Sequence, residues 1–319
     1  MDSDFLKVVD DIQALRIQGA TNIAIEGVNA FSLLGEHIDC ASLEELFVKL
    51  EKAREALSAA RATEPALRNG LRFILYNLRR KASSLQDARE LIVSFSKDYV
   101  LLLKESKKKV ISYGAHRIKD GSTIMTHCHS SLSTGIILEA HKQGKDINVF
   151  CTETRPLYQG RITAKELVSA GVPTTQVVDS AMRWVINSYN IDIIITGADA
   201  ITSQGTVINK IGTRLLALAA KEMDIPFYSA INLLKYDPET SIGKLTEIEM
   251  REPSEIWENP PEGLKFLNPA FETISHDLID GIISEGGVFA PSFIYFIIQE
   301  KYPFMIHEEI GMDIINQGA

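Results

Sequence analysis

The sequence has few cysteines and no long apolar run. Its 319 residues include three cysteines, Cys40, Cys128 and Cys151, an odd and scattered set that argues against a disulfide scaffold and suits a reducing compartment. No apolar stretch reaches the roughly 18–20 residues that span a bilayer. The first residues lack the basic segment and apolar block of a secretory signal. We therefore expect a cytoplasmic protein that has no membrane partner.

Positive charge is also scarce. Lys and Arg number 33 against 42 Asp and Glu, which gives a net charge of −9. A general nucleic-acid surface needs a basic face, so nucleic acid is not an expected partner. A small anionic ligand in a local basic pocket remains compatible with this charge. The length allows one large domain or two ordinary ones, each with a full core.

The spacing of apolar residues changes along the chain. Up to about residue 118 it is helical, and one or two long helices are expected from Ser84 to about Ile118. Further on, short β-branched or aromatic runs alternate with helical stretches, which predicts a parallel sheet covered on both faces. The expected strands are 122–126, 147–151, 175–178, 191–196 and 226–230, and the expected helices are about 134–143, 163–170, 180–189 and 209–223.

The predicted fold is α/β. A helical N-terminal domain with a connecting helix is expected at 1–118, followed by a doubly wound, Rossmann-like domain at 119–319. Thr163 and Glu166 have the spacing of a capping box, which predicts a helix start at Thr163. In a doubly wound sheet, ligands bind at the carboxyl ends of the strands. Candidate functional residues are therefore sought directly after each predicted strand.

The stretch MTHCHSS, Met125 to Ser131, follows the first predicted strand. Side chains alternate along a strand, so His127 and His129 would point away from Cys128, and no second Cys/His pair completes a metal site. We expect no bound metal. A buried structural cysteine and a working thiol or thiolate both remain open, because a following helix N-terminus lowers the pKa of a thiol.

Other strand ends carry a carboxylate, an amide and cations. Asp199 follows the strand IDIIIT and is either a helix-cap or turn residue or a general acid or base. Asn209 and Lys210 are expected to open a helix and suit a phosphate or sugar hydroxyl. Arg155 either pairs with Glu153 or binds a phosphate. Lys235 adds a further cation after the strand PFYSA.

Several motifs together resemble one superfamily. It contains the methylthioribose-1-phosphate isomerases, the ribose-1,5-bisphosphate isomerases, and the alpha, beta and delta regulatory subunits of the exchange factor for translation initiation factor two. The resemblance runs from Arg16 to Ser275 and is most specific for the archaeal ribose-1,5-bisphosphate isomerases. The regulatory subunits generally lack the cysteine of THCHSS. The motifs are MTHCHS, TETRP-x-x-QG-x-ITAKEL, TGADAI, VVDSA, VINKIGT and EIEMR-x-P.

The resemblance implies an isomerase with Cys128 and Asp199 as its catalytic pair. It implies substrate contacts at Gln18, Gly19, Ala20, Thr21, Arg61, Ser130, Ser131, Asn209, Lys210 and Lys235. Gln18 stands where the family usually has arginine and cannot supply that charge, a role for which Arg16 or Arg61 could substitute.

The implied reaction converts ribose 1,5-bisphosphate to ribulose 1,5-bisphosphate through an enol phosphate. It requires two acid/base groups and no metal or organic cofactor. We expect Cys128 to act on carbon or the ring oxygen and Asp199 on the C2 side. The resemblance also implies an archaeal homo-hexamer built as a trimer of dimers, in AMP salvage that feeds RuBisCO. A nucleotide activator would fit such a route.

Overall fold

The computed structural model describes residues 3–17, 19–61, 63–244, 246 and 248–307. The chain divides into two compact units that are not continuous in sequence. The first unit comprises the described parts of Met1–Glu105, Leu234–Thr246 and Phe296–Ala319, and the second comprises those of Ser106–Leu233 and Glu247–Tyr295. The predicted division at residue 118 stays a prediction.

The order of elements places helices first and an alternation of strands and helices afterwards. The helices are α1 Ser3–Gln13, α2 Ala20–His37, α3 Leu43–Ala60, α4 Pro65–Lys81, α5 Leu85–Arg117, α6 Ser133–Lys142, α7 Gly160–Ser169, α8 Met182–Ser188, α9 Thr213–Glu222, α10 Ile294–Lys301 and α11 Phe304–His307. The strands are β1 Thr123–Thr126, β2 Asn148–Thr152, β3 Thr174–Val177, β4 Ile193–Gly197, β5 Ala200–Thr202, β6 Val207–Lys210, β7 Phe227–Ala230, β8 Tyr236–Asp237, β9 Phe271–Ile274, β10 Gly281–Ser284 and β11 Gly287–Phe289. None of the described helices is long and apolar enough to cross a membrane.

The first unit is a helical bundle whose helices approach closely at glycines. A Cβ atom at Gly27 would lie 2.4 Å from Leu67, and one at Gly70 would lie 2.6 Å from Val28. The absence of a side chain at these positions lets α2 and α4 pack with little space between their backbones. The hydroxyl of Tyr99 on α5 is fully buried and donates to the carbonyl of Ala66 on α4 at 2.6 Å.

The second unit is built around a mostly parallel sheet. Among the described residues, seven strands are ordered β11-β10-β7-β4-β1-β2-β3. All neighbouring pairs are parallel except β10 with β11. The apolar core on one face includes Ile124, Ile136, Val149, Ile195 and Ile283. These findings confirm the predicted α/β fold with a helical N-terminal region and a Rossmann-like sheet.

Two predicted helix starts are wrong. Val207–Lys210 is a strand, β6, which pairs antiparallel with both β5 and β9, so α9 begins at Thr213 rather than at Asn209. Helix α7 begins at Gly160, which places Thr163 inside the helix, where its hydroxyl bonds the carbonyl of Cys128 instead of capping the helix. In the first case the pairing of β6 with β9, which is distant in sequence, determines the local structure.

Candidate functional site

The candidate residues lie in both units. Cys128, Ser130, Ser131, Asp199, Asn209 and Lys210 belong to the second unit, and Gly19, Ala20, Thr21, Arg61 and Lys235 belong to the first. Gln18 lies outside the described residues. The roles of all of these residues stay predictions.

Cys128 lies two residues beyond the end of β1, in a left-handed backbone conformation with φ of 66°. The expected alternation of His127, Cys128 and His129 along a strand is therefore wrong, because the strand ends at Thr126. The N–H of Cys128 donates to the hydroxyl of Thr154 at 3.0 Å, and its carbonyl accepts from the hydroxyl of Thr163 at 2.9 Å. The side chains of two other segments thus hold both the N–H and the carbonyl of the Cys128 backbone.

The thiol of Cys128 is protonated near neutral pH. Burial raises its pKa to about 12, although the charge of Lys210 opposes this shift and the charges of Asp199 and Asp179 add to it. The expectation that the following helix would lower the pKa is thus wrong. Helix α6 begins only at Ser133, and the loss of hydration outweighs its effect. Of the two forms left open by the sequence, the structure favours the thiol over the thiolate.

His127 is a buried neutral imidazole. Burial lowers its pKa below the ordinary value for histidine, although the nearby backbone carbonyl of Ile211 opposes the shift. One ring nitrogen, Nε2, lies 2.8 Å from the Ile211 carbonyl oxygen and therefore carries the proton. The other, Nδ1, lies 2.6 Å from the Thr152 hydroxyl, which must donate to it. His127 thus connects the ends of three segments of the second unit.

His129 bonds a different partner from His127. Its Nδ1 atom lies 3.1 Å from the Thr163 hydroxyl and its Nε2 atom 3.9 Å from a carboxylate oxygen of Glu166. Because the Thr163 hydroxyl donates to the Cys128 carbonyl, Nδ1 of His129 acts as the donor. Within the described ranges, no group of three or more His, Cys, Asp or Glu residues is arranged to hold a metal ion.

Asp199 and Lys210 act electrostatically on the Cys128 thiol. The half-buried Asp199 follows β4, and its N–H bonds the carbonyl of Ile208 on β6 at 2.8 Å. The ammonium of Lys210, at the end of β6, lies 4.6 Å from the centre of the Phe271 ring. A buried thiol, a carboxylate and a cation are therefore brought together from β1, β4 and β6.

The N-terminus of α9 is capped from within the protein. The amides of Gly212 and Arg214 donate to the Glu272 carboxylate at 2.6 and 3.0 Å. The side-chain amide of Asn209 donates to the Thr213 hydroxyl at 3.0 Å. The expectation that this helix start offers free amides to a phosphate is therefore wrong for the Gly212 and Arg214 amides. The acidic cap at Glu272 was not predicted from the sequence.

Ser130 approaches β4 closely because residue 197 is glycine. A Cβ atom at Gly197 would lie 2.4 Å from the Cβ atom of Ser130. The hydroxyl of Ser130 accepts from the N–H of Leu132 at 3.3 Å, and its carbonyl accepts from the N–H of Thr134 at 2.9 Å. Ser130 therefore shapes the turn into α6, whereas Ser131 is exposed.

The loop after β2 carries two arginines against one tyrosine. The Arg161 and Arg155 guanidinium carbons lie 3.7 and 5.2 Å from the centre of the Tyr158 ring. Arg155 also donates to the carbonyl of Ile256 at 2.9 Å, whereas the carboxylate of Glu153 lies 3.6 Å from Arg161. The alternative in which Glu153 pairs with Arg155 is thus wrong, because Arg161 takes that place.

In the first unit, Gly19 has φ of 83° and precedes α2 as its N-cap. This conformation favours glycine. Arg16, considered as a substitute for the missing arginine, pairs with Asp10 and Asp11 at the end of α1. Arg61 is mostly buried, and its Nε atom lies 4.0 Å from a carboxylate oxygen of Glu64.

A cavity of about 380 Å³ lies at the amino ends of the strands, away from Cys128 and Asp199. Its lining includes Thr123, Asn148 and Thr174, which begin β1, β2 and β3, together with Tyr189. Ligands of doubly wound sheets bind at the carboxyl ends of the strands, where Cys128 and Asp199 lie. The carboxyl ends of the strands are therefore the more favourable place for a ligand than this cavity.

The sequence and fold match known proteins. Residues 16–291 match the model of the Initiation factor 2 subunit family. The chain belongs to this family. The solved structure of the Pyrococcus horikoshii OT3 translation initiation factor eIF-2B has a TM-score of 0.78 and 30% identity, and the match covers 91% of this chain and 98% of that one.

Curated relatives within this family carry the names of two isomerases. The ribose 1,5-bisphosphate isomerase of Thermococcus kodakarensis is 37% identical over 94% of this chain and 95% of its own length. A methylthioribose-1-phosphate isomerase of Citrifermentans bemidjiense is 35% identical over 90% of this chain and 87% of its own length. Family membership and the resemblance to archaeal ribose-1,5-bisphosphate isomerases are thereby confirmed.

Proposed function

We propose that this protein is an isomerase that converts ribose 1,5-bisphosphate to ribulose 1,5-bisphosphate. The observation that carries the proposal is the buried, protonated thiol of Cys128, which lies within electrostatic range of Asp199 and Lys210 at the carboxyl edge of the sheet. A protonated thiol acts as a general acid, and a carboxylate acts as a general base. The relative from Thermococcus kodakarensis supports the choice of substrate.

The first step breaks the sugar ring. The Asp199 carboxylate accepts the proton from C2, and the C2–H electron pair forms the C1–C2 double bond. The C1–O4 bond breaks at the same time, and O4 takes a proton from the Cys128 thiol. The product is an enol that keeps its phosphate on C1. Its formation requires two positioned groups, which Cys128 and Asp199 supply.

The second step forms the ketone. The 2-hydroxyl loses its proton to the Cys128 thiolate as the C2–O double bond forms, and C1 takes the proton held by Asp199. Both groups thereby return to their starting states, and no electron acceptor is consumed. Because the Cys128 thiol is almost fully enclosed, its proton transfers take place with little water nearby. Limited water access also protects an enol phosphate from losing its phosphate.

Lys210 supplies the local positive charge that a bisphosphate needs in a protein of net charge −9. The lysine follows β6 directly and lies within electrostatic range of Cys128. Ser130, Ser131, Asn209, Gly19, Ala20, Thr21, Arg61, Lys235 and Gln18 complete the proposed substrate contacts.

The proposal extends to the cellular setting. We place the enzyme in the archaeal cytoplasm, as a homo-hexamer that recovers ribose from AMP for RuBisCO under control of a nucleotide. The archaeal source of the Thermococcus kodakarensis relative supports this setting. Sedimentation with and without AMP tests the oligomer and its response to a nucleotide.

Variants of the catalytic pair test the reaction. We expect Cys128→Ser and Asp199→Asn each to lower kcat on ribose 1,5-bisphosphate by about 10²- to 10⁴-fold, because each removes one proton-transfer group. Binding of the bisphosphate, measured by calorimetry, should remain. The matched controls are Cys151→Ala, a buried cysteine on β2, and Asp192→Asn, an exposed carboxylate before β4. Full activity in Cys128→Ser or Asp199→Asn would remove that residue from the mechanism.

The second candidate is the isomerisation of methylthioribose 1-phosphate, which the relative from Citrifermentans bemidjiense favours. That reaction could use the same thiol and carboxylate, but its substrate carries one phosphate and an apolar sulfur end. Turnover of methylthioribose 1-phosphate without turnover of the bisphosphate would favour this candidate.

A further inference from the structure

Cys128 and Thr154 have left-handed backbones in the loops at the carboxyl ends of the strands, as does Tyr158, although none of them is glycine. Cys128, after β1, has φ of 66°, and Thr154, after β2, has φ of 62°. A branched side chain at Cβ makes this conformation especially unfavourable for threonine. Such a conformation persists only where the surroundings hold it in place. Thr154 has such contacts on two sides, with Asp179 and with Cys128.

The carboxylate of Asp179 holds the backbone of Thr154. The N–H of Thr154 donates to Oδ1 of Asp179 at 2.8 Å, and the N–H of Arg155 donates to Oδ2 at 2.7 Å. Two successive amides that converge on one anion form a nest, and hydrogen bonds to a carboxylate are among the stronger ones. Asp179 therefore stabilises the left-handed turn at Thr154.

The side chain of Thr154 holds the backbone of Cys128. Its hydroxyl accepts from the Cys128 N–H at 3.0 Å and lies 3.3 Å from the hydroxyl of Thr152. The Thr152 hydroxyl donates to Nδ1 of neutral His127, and the Nε2–H of His127 donates to the carbonyl of Ile211. This series of hydrogen bonds begins at the Cys128 N–H and ends at the Ile211 carbonyl. Each hydroxyl in it therefore donates toward Ile211, and the Thr154 hydroxyl accepts from Cys128.

From this geometry we infer that Thr154, held in place by Asp179, is a positioning residue that sets the direction of the Cys128 thiol for proton transfer. The inference rests on the proposed function, in which Cys128 exchanges protons with the substrate. A displacement of about 1 Å at a reacting group lowers rates by up to about 10²-fold. The hydrogen bond between Thr154 and Cys128, which Asp179 supports through the backbone of Thr154, is where such a displacement would begin.

The first test compares two substitutions of Thr154. Thr154→Val keeps the branched shape and removes the hydroxyl, and we expect kcat to fall by about 10- to 100-fold while KM changes little. Thr154→Ser keeps the hydroxyl and should restore most of kcat. Thr174→Val is the matched control, because it removes a hydroxyl that bonds the carbonyl of Val172 at the start of β3. Melting temperatures show whether each variant is folded.

The second test does not depend on the substrate. The rate of Cys128 alkylation by iodoacetamide at pH 9 is followed by peptide mass spectrometry, with Cys128→Ser as the blank. In Thr154→Val the loosened thiol gains contact with water, so its alkylation should be at least about threefold faster than in the wild type. Thr154→Ser and Thr174→Val should keep the wild-type rate. Asp179→Asn, which weakens the nest, should lower kcat as Thr154→Val does; its alkylation should also be faster, in part because the variant loses a charge that raises the Cys128 pKa.

The outcomes separate this inference from the proposed function. A folded Thr154→Val with wild-type kcat and wild-type alkylation would overturn the inference. If Thr154→Val does not fold, a folded Asp179→Asn with both wild-type values would overturn it instead. If the wild type does not convert the bisphosphate, the proposed function fails. The alkylation rates alone then decide, with faster alkylation in Thr154→Val supporting the inference and an unchanged rate overturning it.

Discussion

At the scale of single residues, burial sets the protonation states around Cys128. It raises the pKa of the thiol to about 12 and lowers the pKa of the His127 imidazole, so both side chains are neutral near pH 7. The charges that act on the thiol are those of Asp199, Asp179 and Lys210. A neutral thiol beside a carboxylate is an arrangement for moving protons, and the fixed hydrogen bonds of His127 give it a structural part.

His127 should make the stability of the protein depend on pH in mildly acidic solution. Its pKa is lowered in the folded state, so below the unfolded value of about 6.5 the unfolded chain binds a proton that the folded chain does not. Stability is therefore lost as the pH falls from 7 to 5. We expect His127→Gln to make this slope shallower by up to about 1.4 kcal/mol per pH unit.

Urea denaturation at several pH values measures this slope. The glutamine variant is expected to be less stable at pH 7, so the slope, rather than the stability at one pH, is the decisive quantity. His116→Gln, at an exposed position on α5, is the matched control. A slope in His127→Gln equal to that of the wild type would contradict the assignment of a neutral, buried imidazole.

At the scale of elements, the sequence predicts the strands whose signal is local. The strands β1, β2, β3, β4 and β7 were expected within two residues of their observed ends, because short apolar runs lie between clear helical stretches. Strand β6 was expected to be the start of a helix. Its partner β9 lies some sixty residues further along the chain, and no local pattern shows that pairing.

In the candidate site, too, the sequence predicts the residues that have a local signal and misses those that depend on distant contacts. Cys128 and Asp199 could be proposed because each follows a recognisable strand and lies in a motif. Thr154, Asp179 and Glu272 could not, because their importance lies in hydrogen bonds to residues far along the chain. The VVDSA motif that contains Asp179 was noted only as part of a family resemblance. The role of Asp179 in holding Thr154 can be seen only in the three-dimensional structure.

Gly160 should be essential for the junction between β2 and α7. A Cβ atom there would lie 1.8 Å from the carbonyl oxygen of Thr152, and backbone atoms cannot move aside easily. We expect Gly160→Ala to lower the free energy of unfolding by about 2–4 kcal/mol. Gly121→Ala is the control. That position has φ of 78° and open space around it, so only about 1–2 kcal/mol of backbone strain is expected.

Urea denaturation of the two glycine variants measures the difference. The comparison separates a steric clash from the general cost of replacing glycine. Equal losses in Gly160→Ala and Gly121→Ala would show that α7 can shift away from β2. In that case the contact between Thr163 and Cys128, which depends on the position of α7, would not be rigidly set.

At the scale of the whole molecule, the chain belongs to a family whose members carry different names. Relatives named as isomerases and a solved initiation factor structure match along most of its length. The fold therefore does not decide the function. We propose that Cys128, Asp199 and Lys210 of the second unit supply the chemistry of an isomerase. We predict that these residues act on a bisphosphate.

The most direct test is a product assay on the purified protein. Ribose 1,5-bisphosphate and methylthioribose 1-phosphate are supplied separately, and the products are followed by NMR. We predict that the wild type converts ribose 1,5-bisphosphate to ribulose 1,5-bisphosphate and that Cys128→Ser does so at least about 10²-fold more slowly. An intact bisphosphate after incubation with folded wild-type protein, alone and with AMP, would show that the protein is not a ribose-1,5-bisphosphate isomerase.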